Sequence, residues 1–143
     1  MKILPVITLS FLALAGCSSQ NVHQYGSVSQ TEKTITVPAG SAGLLGMLKT
    51  ELQQSGWKMN VHRGPSVTEG SVGKETRTEQ IDTFNTRYSL SVRFNQYDTC
   101  IKDFKGYSNF DISMIDNDTG SEVFTLDGSG CDSDTVKKFK SML

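Results

Sequence analysis

Three cysteines, two histidines and an aspartate-rich turn are the groups in this 143-residue chain best equipped for chemistry. His62 stands beside Arg63, and the two would line a pocket if the polar segment after them folded back over them. A histidine works as a general base only with a positioned partner. No serine or cysteine here stands in a nucleophile-elbow pattern. Asp116, Asp118 and Asp127 carry the oxygen chemistry of calcium ligands, but the run Asp116-Asn117-Asp118-Thr119-Gly120 lacks a downstream bidentate glutamate at EF-hand spacing. It reads as a β-turn. The glycines from Gly40 to Gly46 lack the Lys-Ser/Thr of a phosphate loop. Lys58, Arg87 and Arg93 suggest a basic stripe on an open sheet face, fit for a carboxylate or an acidic partner. With His62, Arg63 and Arg77 they form the candidate partner-binding set. The alternative is ordinary solubilising charge on a wet strand face. No metal ion, cofactor or catalytic residue is expected.

The cysteines divide by position. Lys2 precedes a run from Ile3 to Leu14 that is apolar apart from Thr8 and Ser10. Such a run is too short for a permanent membrane helix and has the form of an export signal. It ends in Leu14-Ala15-Gly16-Cys17, which resembles the bacterial lipobox, where a diacylglycerol is attached to the cysteine and cleavage frees its amino group. The resemblance implies a signal peptide over 1–16, acyl chains on Cys17 and a membrane as partner. Two or three acyl chains on one residue hold a protein far more firmly than one, since each buried methylene adds about 0.8 kcal/mol. Ser18 rather than aspartate follows the cysteine, which by the same resemblance implies the periplasmic face of an outer membrane. Cys100 and Cys131 then remain as an even pair in an oxidising compartment, and a disulfide is expected. It would close a loop of about 30 residues and stabilise the fold by roughly 3–4 kcal/mol. Two free thiols or a metal site are the alternatives; neither His23 nor His62 is near either cysteine in sequence.

These groups need a scaffold to position them. Ser18 to Lys33 is polar and reads as a flexible tether with a reach of roughly 20–25 Å, leaving 34–143 as a single domain. Thr34 to Pro38 has strand composition. Leu44, Leu45, Leu48 and Leu52 form the apolar stripe of a helix, with Ser41 as N-cap and Gly56 as C-cap. Trp57 to His62, Arg87 to Phe94 and Phe110 to Ile115 alternate apolar and polar residues as half-buried strands do. Glu122 to Leu126 is the hairpin partner of the last, with Cys131 just beyond its end. Val136, Phe139 and Leu143 give a terminal helix one apolar face, capped by Asp132 or Ser133. Arg63 to Thr83 has no convincing period and is long for a loop, apart from a hairpin extension near Arg77 to Ile81. The expected fold is α+β: a two-layer sandwich, mainly an antiparallel sheet with two helices on one face.

In that order, LLGMLKTELQQSGW, KMNVHR, RYSLSVRF and FDISMIDNDTGSEVFTLDGSG resemble the TolB amino-terminal-domain-like fold of outer-membrane lipoproteins of the LpoB and CsgG type. Asp116, Thr119, Gly120 and Val123 match a D-x-x-T-G-x-x-V hairpin of those relatives. The resemblance implies an envelope protein-binding module without chemistry of its own. The chain departs from the long-tethered LpoB pattern, and it lacks the membrane hairpins of CsgG-type pores. Its formal charge of −1, about −2 once Lys2 is removed, gives no reason to expect nucleic acid. A small-ligand or cell-wall-fragment binder or enzyme, and an immunity or phage-exclusion lipoprotein, are the alternative functions.

Overall fold

Alternating side chains on the longest strands decide the architecture, because each sheet face must meet either a partner layer or water. The computed structural model describes residues 19–62 and 85–143. Six strands and two helices follow in the order β1 (Ser19–Gln24), β2 (Thr34–Val37), α1 (Gly43–Gln54), β3 (Lys58–Val61), β4 (Tyr88–Thr99), β5 (Gly106–Asp116), β6 (Ser121–Cys131) and α2 (Asp132–Lys140). The sheet order is β1-β6-β5-β4-β2-β3. Strands β1, β6, β5 and β4 form an antiparallel block, to which β2 and β3 add in parallel. Helix α1 makes the crossover from β2 to β3 that parallel neighbours require. The fold is α+β, with both helices packed into one core against one sheet face.

The core follows from two periods meeting. From β4 and β5 come Leu90, Phe110, Ile112 and Met114, alternating with polar neighbours. From α1 come Leu44, Leu48 and Leu52, all fully buried. Phe139 of α2 meets Phe124 of β6 edge to face at 5.8 Å. Tyr88 is buried against Trp57 at 5.6 Å, and its hydroxyl accepts the Ser29 N–H at 2.9 Å. Helix α1 ends in a Schellman motif. The Trp57 N–H bonds to Leu52 O at 3.0 Å and the Gly56 N–H to Gln53 O at 3.1 Å. Gly56 takes φ +81°, which a residue with a Cβ resists.

Four expectations need correction. The polar tract read as a tether instead supplies β1, which pairs with β6 from Ser19↔Ser129 to Gln24↔Phe124. An edge strand needs backbone hydrogen bonds more than apolar side chains, and only the half-buried Val22 adds one. Ser41 does not cap α1; Ala42 does, with no side-chain bond. Cys131 ends β6 from within rather than following it, because the strand runs on through Gly128 and Gly130 to pair with β1 and β5. Asp132 is the first residue of α2, and neither it nor Ser133 makes a capping bond. The expected hairpin extension near Arg77 to Ile81 lies outside the described residues.

Candidate functional site

The sheet face opposite the helices carries hydrogen-bonding side chains in rungs that run across four strands. Strand pleat puts Leu90, Val92 and Phe94 toward the helices and so Ser91, Arg93 and Asn95 away from them. Register then aligns Asn21, Asp127, Asp111 and Arg93 in one rung. The rung on one side is Ser19, Ser129, Asn109 and Asn95; on the other it is His23, Thr125, Ser113 and Ser91. Asn21 Nδ2 donates to Asp127 at 3.0 Å. Asp111 and Asp127 stand directly opposite each other, an arrangement that like charges disfavour. Arg93 faces Asp111 across the β4–β5 ladder and makes no ion pair among the described residues. Arg93, Asp111, Asn95 and Asn109 are all exposed. An exposed sheet face of this kind suits contact with another surface better than enclosure of a small molecule.

At the end of the sheet where β2, β3 and β4 begin, Arg87 joins three carboxylates. Its guanidinium donates to Asp116 at 2.7 Å, to Asp118 at 2.5 Å and to Glu32 at 3.2 Å. Asp116 shapes this turn itself, accepting the Asp118 N–H at 2.9 Å. Burial pushes the Asp116 carboxyl up, but Arg87 and the turn N–H groups outweigh it and hold the pKa below the ordinary value. The same carboxylate raises the pKa of Arg87. A cleft of about 590 Å³ opens beside the cluster, lined by Glu32, Lys33, Lys58, Asn85, Arg87 and Asp118. With its charge matched three times over, Arg87 latches the segment before β2 to the β5–β6 turn, while its buried Nε has no partner among the described residues.

The expected basic stripe is therefore not one site. Lys58 and Arg87 share the cleft, while Arg93 lies far along β4 on the open face. His62 follows β3 and lines a separate cleft with Pro38, Ala39, Ser89 and Ser91; its N–H donates to Val37 O at 2.9 Å. Arg63, Arg77 and Cys17 lie outside the described residues. Cys100 and Cys131 are joined as a disulfide, Cα to Cα 5.5 Å. Among the described residues no three His, Cys, Asp or Glu side chains gather as a metal site, and no helix is long and apolar enough to cross a membrane.

Two features escaped the sequence reading. Ile101 and Phe104, on the β4–β5 turn, are 89% and 84% exposed. Their apolar type between Lys102, Asp103 and Lys105 is the only local signal. Asp132 lies buried beneath that turn with Oδ1 unpartnered among the described residues.

The two-layer α+β fold with this strand order defines the class to which the molecule belongs. No protein-family model and no curated protein sequence matches the chain. Among solved structures it is similar to a PelC variant from Paraburkholderia phytofirmans, described as a dodecamer, with TM-score 0.53 and 12% identity over 87% of this chain and 95% of that one. A second PelC dodecamer from the same organism gives TM-score 0.48 and 15% identity, over 87% and 91%. At 12% identity the likeness is one of fold.

Proposed function

We propose that the chain is an envelope lipoprotein, held by acyl chains on Cys17 at the periplasmic face of an outer membrane, that acts as a non-enzymatic docking module. The observation that carries the docking reading is the open sheet face. It keeps two aspartates side by side, Asp111 and Asp127, next to an Arg93 that has no ion pair among the described residues, at a cost to its own stability. A partner presenting a cation between the aspartates and a carboxylate to Arg93 would relieve both. Exchange of Asp111→Lys and Arg93→Glu together inverts that pattern while leaving the core untouched. Crosslinking in cells, followed by capture of the lipoprotein, is expected to recover one envelope protein with wild type and to lose it with the double variant. Equal recovery from both would remove this face from consideration.

A second reading makes the partner a further copy of this chain. The PelC chains of like fold are described as dodecamers. Mass measurement of the detergent-solubilised protein separates the readings. A discrete multiple of the monomer, lost in the double variant, supports self-assembly, and a monomer supports a different partner.

A further inference from the structure

The β4–β5 turn holds an exposed apolar pair that the fold spends effort to present. Ile101 and Phe104 project where a soluble turn normally carries polar groups. Phe104 has φ +56°, a conformation unusual for a bulky residue and a common mark of functional strain. Four restraints fix the turn. Cys100 N–H bonds to Lys105 O at 2.7 Å and Phe104 N–H to Cys100 O at 2.8 Å. The Cys100–Cys131 disulfide ties it to the end of β6, and Lys102 pairs with Asp134 of α2. Behind the tip, Tyr97 and Tyr107 pack edge to face at 5.5 Å, with Tyr97 55% exposed.

The register says what lies in front of this tip. Ser19 pairs with Ser129, two residues before Cys131, and Cys131 pairs with Tyr107 at the root of the β4–β5 turn. The start of β1 and the tip therefore share one end of the sheet. Cys17 is two residues from Ser19, and two peptide links reach no further than about 8 Å. From Asn109, level with Ser19, to Gly106 at the turn is three residues, about 10 Å along the strand. Acyl chains on Cys17 would place a bilayer at that same end. The charges nearby balance, with Lys102 against Asp134 and Lys105 beside Asp103 on the same turn. Headgroup attraction is thus not the driving force.

We propose that Ile101 and Phe104 insert into the bilayer interface as a second, noncovalent membrane contact that sets the orientation of the domain, with Tyr97 and Tyr107 at headgroup depth. The proposal rests on the lipid anchor at Cys17. It makes the domain stand upright on its β1–β6–β5–β4 end, with the Arg87 cleft facing away from the membrane.

A Phe104→Trp variant of the full lipidated protein tests it in phosphatidylcholine vesicles with brominated acyl chains. The chain's single tryptophan, Trp57, is 4% exposed in the core and supplies a constant background. The expected result is a blue-shifted emission from the introduced indole, quenched by the brominated lipid and insensitive to added salt; Ile101→Trp should behave alike. In a leaderless chain of residues 17–143 carrying Cys17→Ser, replacing each of Ile101 and Phe104 by serine should lower vesicle partitioning by about tenfold. Emission unquenched in protein that still sediments with vesicles through Cys17 overturns the insertion and leaves the anchor standing. Protein that carries no acyl mass removes the anchor, and quenching in the Cys17→Ser chain then reads the tip alone. A blue shift that appears without vesicles and grows with protein concentration assigns the tip to another copy and overturns the membrane contact.

Discussion

The backbone of Ser19 passes Gly128 so closely that a Cβ on the glycine would stand 2.0 Å from the Ser19 carbonyl oxygen. Gly128 also takes φ +139°, which side chains rarely adopt. The glycine is what lets β1 lie along β6, and β1 is what ties the start of the domain to the sheet. Gly128→Ala is therefore expected to lower stability by about 1–3 kcal/mol. The loss should be local, because β1 is an edge strand. Amide exchange at Val22 and His23 should quicken while the amides of Ile112 and Met114 stay protected. Unchanged exchange at Val22 would refute the role given to this glycine.

The disulfide carries the second prediction. Cys100 and Cys131 are 31 residues apart in sequence, and the bridge fastens the β4–β5 turn to the start of α2. Replacing both with serine is expected to cost roughly 3–4 kcal/mol, read as a lower urea midpoint with a steeper slope, because the uncrosslinked unfolded chain exposes more surface. Limited proteolysis should then cut first between Ile101 and Lys105. A midpoint matching that of the oxidised wild type would show that the turn is held by the Lys102–Asp134 pair and its backbone bonds instead.

These features were unequally legible in the sequence. Alternation from Tyr88 to Phe94 and from Phe110 to Met114 announced β4 and β5, because half-buried strands must alternate. The Leu44-Leu48-Leu52 stripe announced α1 for the same kind of reason. Strand β1 was hidden because its stability comes from main-chain bonds to β6 and not from its side chains. Its signal lay elsewhere, in Gly128 within the partner strand. The Arg87 latch was hidden for a different reason. Glu32, Arg87 and Asp116 are 55 and 29 residues apart along the chain, and only the β2–β4 and β4–β5 pairings bring them together. Charge type alone placed Arg87 with Arg93 on a wet face. Register sends the first into a carboxylate cage and leaves the second without an ion pair among the described residues.

That cage predicts an acid response. Asp116 is held below its ordinary value of 3.8, so its ionised form favours the folded state. The contribution is fully present above that value and is lost as pH falls through the lower, folded-state value. Asp116→Asn should therefore reduce the melting temperature at pH 7, and the difference from wild type should shrink in acid. Arg87→Met should destabilise as well, by leaving Asp116 and Asp118 facing each other unpaired. Double-mutant cycles at pH 7 are expected to show strong coupling between positions 87 and 116. Additive effects would mean that the two groups act independently.

Asp132 predicts the opposite slope. It is 1% exposed, and its Oδ1 has no partner among the described residues. Burial raises its carboxyl above 3.8, the Ser108 hydroxyl opposes that shift, and the charge of Asp103 adds to it. Asp103 itself stays ionised, held below its ordinary value by the Ser133 hydroxyl despite burial. A raised folded-state value means that ionising Asp132 works against the fold. Its penalty is absent below 3.8 and complete once pH has risen through the folded value. The first turn of α2 favours negative charge at this position, which works against the effect of burial. Asp132→Asn keeps the shape while removing the charge. It should raise the melting temperature at pH 7 by a few degrees and leave it unchanged near pH 3. A lower melting temperature at pH 7 would mean that the helix dipole outweighs burial, and that the carboxylate beneath the turn is stabilising.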